Sequence, residues 1–160
     1  MAKGVREILP GFDEKRITHL NGKGGFGESL DVIRRQLRRS RLKRFLVGAI
    51  NDHSALGALR AFEEAGRLSD CLVGGQNADL EARMEIRRPG TRLIGSVGFF
   101  PEKYGEGLVR LALDVIHRRQ MAPSSFVKHI LITPQNVDSF YPNDVLMSQM
   151  TPDQILMSSM

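Results

Sequence analysis

The chain has a single cysteine, Cys71, which excludes an internal disulfide. It stands in the apolar run CLVGG and is expected to be a small buried core residue. No apolar run approaches the roughly 20 residues that a membrane-spanning helix needs. The first residues, MAKGVREILPGF, hold neither a long apolar segment nor a small-residue cleavage site, so the chain as written is expected to stay in the cytoplasm. His19, His53, His117 and His129 are scattered, without metal-ligand spacing and without an acid partner at helical offset. No nucleophile–base pair is visible either, so neither a catalytic centre nor a metal or other cofactor is expected. Internal repeats are absent, which excludes a repeat array.

What is present fits an ordinary globular domain. At 160 residues one domain with a real core is the default, and 41% hydrophobic with 26% charged residues is ordinary for that class. The net charge is +5, and much of it comes from the tract running from Arg34 to Arg44. Leu30, Ile33 and Leu37 recur there at helical spacing, leaving the arginines to the outer face and last turn, where cations suit the helix dipole. No aromatic residues interleave them for base stacking, so a nucleic-acid partner is not expected.

The chain alternates strand-like and helix-like segments. Helices are predicted over 5–9, 28–39, 54–64, 80–87 and 102–119, and strands over 16–20, 45–50, 71–75, 92–97 and 127–132. The run FLVGAI is continuously apolar, as in a parallel strand buried on both faces. This alternation predicts a three-layer α/β lobe around a parallel sheet, spanning residues 1–142. Residues 143–160 are rich in Met, Ser and Gln and are expected to be a mobile tail.

In an open α/β sheet, ligands bind beyond the carboxyl ends of the strands. That rule brings Asn51 and Asp52, then Gln76 and Asn77, then Phe99 to one edge. Amides that both donate and accept, beside an aromatic face, suit a neutral polyol. The same residues also fit plain duties: Asn51 and Asp52 can end a strand, with Asp52 or Ser54 capping the next helix, and the others can be loop residues. Gly22 to Gly27, GKGGFG, satisfies the G-x-G-x-x-G spacing and could cradle a pyrophosphate or simply be a flexible loop.

Three stretches carry a family likeness. FLVGAINDHSALGALRAFEEAGR, VGGQNADLEARMEIRRPGTRLIGSVGFFPEKYGEGLVRLALDVI and HILITPQNVDSFYP resemble, in order, the C-terminal half of type I periplasmic sugar-binding proteins, a fold shared with the sensor domain of lac-repressor-type regulators. The resemblance implies that Asn51 hydrogen-bonds a sugar and that Asn77 takes the place of a sugar-binding Asp. It puts Phe99 where a Gln is common. The ligand candidates are therefore Asn51, Asp52, Gln76, Asn77 and Phe99.

The resemblance also implies a non-enzymatic, periplasmic parent serving an ABC-type sugar transporter, with a membrane permease as partner. Nothing in the chain matches the family's N-terminal lobe or the first strand of its C-terminal lobe, so it reads as truncated. The helix over 102–119 is expected to lack its partner and to favour self-association. Two other readings are a ligand sensor of a lac-repressor-like regulator and a dinucleotide-dependent enzyme using the Gly22–Gly27 loop.

Overall fold

The computed structural model describes residues 2–120, 122, 124 and 126–144. Four strands, β1 (Phe45–Gly48), β2 (Cys71–Asn77), β3 (Leu93–Gly98) and β4 (Ile130–Ile132), form one sheet in the order β1-β2-β3-β4. The helices are α1 (Ala2–Ile8), α2 (Phe26–Arg39), α3 (Asp52–Glu64), α4 (Leu80–Arg87), α5 (Gly105–Ile116) and the short α6 (Val137–Phe140). β1, β2 and β3 run parallel, joined through α3 and α4. Both connections step the same way across the sheet, so right-handed crossovers put α3 and α4 on one face.

The core lies between that face and the helices. Phe45 of β1 meets Phe62 of α3 edge to face at 5.3 Å, and Val73, Leu93, Ala82 and Ile86 complete the buried set. α2 adds Ile33 and Leu37 to it, while Arg35, Arg38, Arg39, Arg41, Lys43 and Arg44 stay exposed as the sequence pattern predicts. α2 and α3 cross closely at Gly57, where an added Cβ would lie 2.3 Å from the Phe26 carbonyl oxygen. Gly66, at φ +64°, follows the Ala65 cap of α3 in left-handed backbone, the conformation in which helices commonly end.

The opposite face of the sheet is open among the described residues. Leu46 and Leu72 are register partners and are 62% and 41% exposed, and Ile94 is 45% exposed. Parallel strands normally have both faces covered, which is why these positions carry leucine and isoleucine.

Three sequence expectations change. Residues 16–20 make no strand: a 3-10 turn, Glu14–Arg16, is followed by chain outside the sheet, and β1 is an edge strand. RITHL is half polar, and no neighbouring strand stands there to fix it by hydrogen bonds. The last strand is short and antiparallel, pairing Ser96 with Ile132 and Gly98 with Ile130. A parallel return needs a crossover packed on the sheet, and α5 is not packed there: none of its residues is buried. The helix expected over 102–119 is instead a 3-10 turn, Pro101–Lys103, followed by α5. Of the expected tail, Asp144 is buried, and residues 145–160 lie outside the described residues.

Candidate functional site

The carboxyl ends of β1, β2 and β3 share one edge of the sheet, and the turns leaving them hold the expected residues. Asn51 caps α3. Its Oδ1 accepts from the Ser54 N–H at 2.9 Å, and its Nδ2 donates to the Gly24 carbonyl at 2.9 Å. The cap is thus Asn51 itself rather than Asp52 or Ser54. Through the second bond the loop 22–25 is tied to the strand-end edge. No strand precedes that loop, so the strand–turn–helix context that a dinucleotide fingerprint needs is not formed.

Asp52 turns inward. It is 1% exposed, its Oδ1 accepts from the Ser96 hydroxyl at 2.6 Å, and its Oδ2 accepts from the Asp79 N–H at 2.8 Å. Burial pushes its carboxyl above the ordinary Asp value, and the hydrogen bonds from Ser96 and the Asp79 backbone pull part of the way back. Gly75 makes room for it, since a Cβ there would lie 2.1 Å from Asp52 Oδ1. Both oxygens are engaged inside the protein, so Asp52 organises the edge rather than facing solvent.

The β2 end separates its two candidates. Gly75 faces α3, so by strand alternation Gln76 points to the open face of the sheet, away from that helix. Asn77 is exposed, with φ at +109°, and its Nδ2 lies 3.5 Å from Asp79 Oδ2. Ala78 follows at φ +55° and is buried, its N–H donating to the Ser96 hydroxyl at 2.9 Å. Phe99 is half-buried, its ring centroid 6.3 Å from that of His129. Asn51, Asn77 and Phe99 therefore stand on successive turns of one edge, whereas Asp52 and Gln76 leave it in opposite directions.

Sequence reasoning missed a second group beside this edge. Arg83 on α4 pairs with Asp144 through two bonds of 2.7 Å, stacks over the Tyr141 ring at 4.0 Å and donates to the Ala78 carbonyl. Arg87 adds a bond to Asp144 at 2.8 Å. Burial alone would raise the Asp144 carboxyl, but the hydrogen bonds and charges of Arg83 and Arg87 hold it below the ordinary value. Phe100, at φ +54°, stacks on Tyr141 at 5.7 Å. The sequence signal was the i, i+4 spacing of Arg83 and Arg87, which puts both on one helix face. Their acid is 57 and 61 residues away along the chain, so spacing alone could not pair them.

An open groove of about 710 Å³ runs between α3 and α4, over Leu56, Leu59, Leu80 and Met84, and one of about 230 Å³ lies by Phe26 and His53. Neither is lined by Asn51, Asn77 or Phe99. Among the described residues no group of three His, Cys, Asp or Glu side chains is placed to hold a metal, and no helix is long and apolar enough to cross a membrane.

No family model and no curated protein matches the chain. Solved structures do. The 5-methylthioribose transporter solute-binding protein of Thermotoga lettingae, in complex with 5-methylthioribose, superposes with a TM-score of 0.70 at 19% identity, over 92% of this chain and 47% of that one. An ABC transporter solute-binding protein of Bacillus halodurans with bound myo-inositol gives 0.65 at 24% identity, over 88% and 48%. An ABC transporter periplasmic solute-binding protein of Actinobacillus succinogenes with bound D-allose gives 0.65 at 19%, over 74% and 41%. The fold is that of a lobe of type I periplasmic sugar-binding proteins, and the chain spans less than half the length of each of these three.

Proposed function

We propose that this chain contributes one wall of a sugar- or polyol-binding site in a non-catalytic solute-binding protein of an ABC-type transporter, working in the periplasm with a membrane permease. The observation that supports this best is the placement of Asn51, Asn77 and Phe99 on three successive turns at one sheet edge, in a fold whose solved neighbours hold D-allose, myo-inositol and 5-methylthioribose. The Asn77 amide offers a donor and an acceptor to hydroxyl groups, the Asn51 amide offers the second N–H and the lone pair left over by its cap and its Gly24 bond, and the Phe99 ring offers a flat apolar face to the C–H side of a sugar ring. Neither amide is charged, which favours neutral ligands over amino sugars or sugar acids.

Titration calorimetry with D-allose, myo-inositol and 5-methylthioribose tests the reading. At least one should release heat, and Asn77→Ala should weaken it about tenfold, the worth of one or two hydrogen bonds. Asn51→Asp keeps an oxygen for the α3 cap but loses the bond to the Gly24 carbonyl, so it should weaken binding and also lower the melting temperature, whereas Asn77→Ala should leave the melting temperature nearly unchanged. No heat from any of the three, or full affinity in both variants, would overturn the proposal.

A further inference from the structure

Asn77 and Ala78 are consecutive non-glycine residues in left-handed backbone, at φ +109° and +55°, a conformation that costs on the order of 1–3 kcal/mol each and persists only where the surroundings enforce it. Three side chains from three elements supply that enforcement. Ser96 of β3 accepts the Ala78 N–H and donates its own O–H to Asp52 of α3, which also accepts the Asp79 N–H. Arg83 of α4 donates to the Ala78 carbonyl from the other side while Asp144 and the Tyr141 ring hold its guanidinium. The Ala78 N–H, the Ala78 carbonyl and the Asp79 N–H are thus each held by a side chain that is itself held. Asn77, just before the clamp, stays exposed.

We propose that Ser96, Asp52 and Arg83 are positioning residues that act as one clamp to present the Asn77 side chain to ligand. The inference rests on the sugar-binding reading for what Asn77 meets, but the clamp has its own readout. None of the three touches ligand: Asp52 and Ser96 are buried, and Arg83 is occupied by Ala78 and Asp144.

Amide hydrogen exchange on the full chain, followed by NMR, reads the clamp directly. Ser96→Ala should speed exchange of the Ala78 amide about tenfold, the size of one lost hydrogen bond, and should also speed the Asp79 amide, which bonds Asp52 and not Ser96. Arg83→Lys keeps a cation for Asp144 but loses the forked geometry, and should speed the same two amides. If the Asp79 amide is unchanged in both variants, the three residues do not act together and the proposal falls.

Titration with D-allose and with myo-inositol supplies the second arm, as a double-mutant cycle. Ser96→Ala should weaken binding by about the same factor as Asn77→Ala, and should add nothing when Asn77 is already alanine. An equal loss in both backgrounds would mean that Ser96 acts only through general stability, which overturns positioning. Should neither sugar bind, the sugar reading fails by itself, and the exchange result alone decides whether the clamp exists.

Discussion

Two acids, Asp52 and Asp144, are buried at or beside the strand-end edge, each held by donors from other elements. Asp52 follows Asn51 in a motif that suggested two ligand contacts, yet only burial distinguishes them: Asn51 is half-buried at the edge, and Asp52 is interior. Asp144 lay in a stretch expected to be mobile, and it is 3% exposed because Arg83 and Arg87 reach it. Its carboxyl is held below the unfolded value, so the ionised form stabilises the fold above that value, and this stability is lost as pH falls through the lower folded value. Asp144→Asn should therefore cost stability at neutral pH and flatten the acid limb of a pH–stability curve measured by urea unfolding. An unchanged acid limb would contradict the assignment. Cys71 works at the other end. Burial pushes its thiol from 9.0 to about 11, so stability should decline as pH rises from about 9 toward 11, and a thiol reagent should label it only on unfolding. Rapid labelling of the folded chain at neutral pH would refute this.

At the scale of elements, the strands and helices of the core were legible because each carries its own signal. FLVGAI and CLVGG are continuous apolar runs, and the α3 stripe Ala55, Leu56, Ala58, Leu59 and Phe62 has helical spacing and is buried except for Leu56, which is half-buried. Segments that depend on a distant partner were not legible. RITHL had strand-like residues but no strand to pair with, and the direction of β4 is set by where α5 leaves the chain, which no local pattern encodes. The α2–α3 crossing offers a test of packing against propensity. Gly57→Ala gains about 1 kcal/mol of helix propensity, but the new Cβ would sit 2.3 Å from the Phe26 carbonyl oxygen, which is backbone and cannot rotate away. Overpacking against backbone falls at the upper end of the usual range, about 2–3 kcal/mol, so after the gain in propensity the variant should be destabilised by roughly 1–2 kcal/mol in urea unfolding. A variant as stable as the parent would mean that the two helices can separate freely.

Among the described residues the molecule is apolar in two places where proteins of its size are normally covered. One is the open sheet face with Leu46, Leu72 and Ile94, and the other is α5, whose Leu108, Leu111 and Val115 are 61%, 40% and 57% exposed. The second was implied by the family resemblance, which sets this helix against the other lobe. Each large aliphatic side chain left in water forgoes about 1.5–3 kcal/mol of burial, and a whole domain is stable by only roughly 5–15 kcal/mol. Contiguous rows of this kind drive association, and the charge of +5 is too small to oppose it once salt screens it. The isolated chain should therefore self-associate, giving a weight-average mass that rises with concentration in sedimentation velocity, together with binding of a hydrophobic dye. Leu108→Lys and Leu46→Lys each place a charge in one row at an already exposed position, so each should lower that mass while leaving the unfolding free energy in urea within about 0.5 kcal/mol of the parent. The row whose variant has the larger effect is the main contact. A monodisperse monomer at all concentrations, melting cooperatively and binding no dye, would show that both rows are tolerated in water.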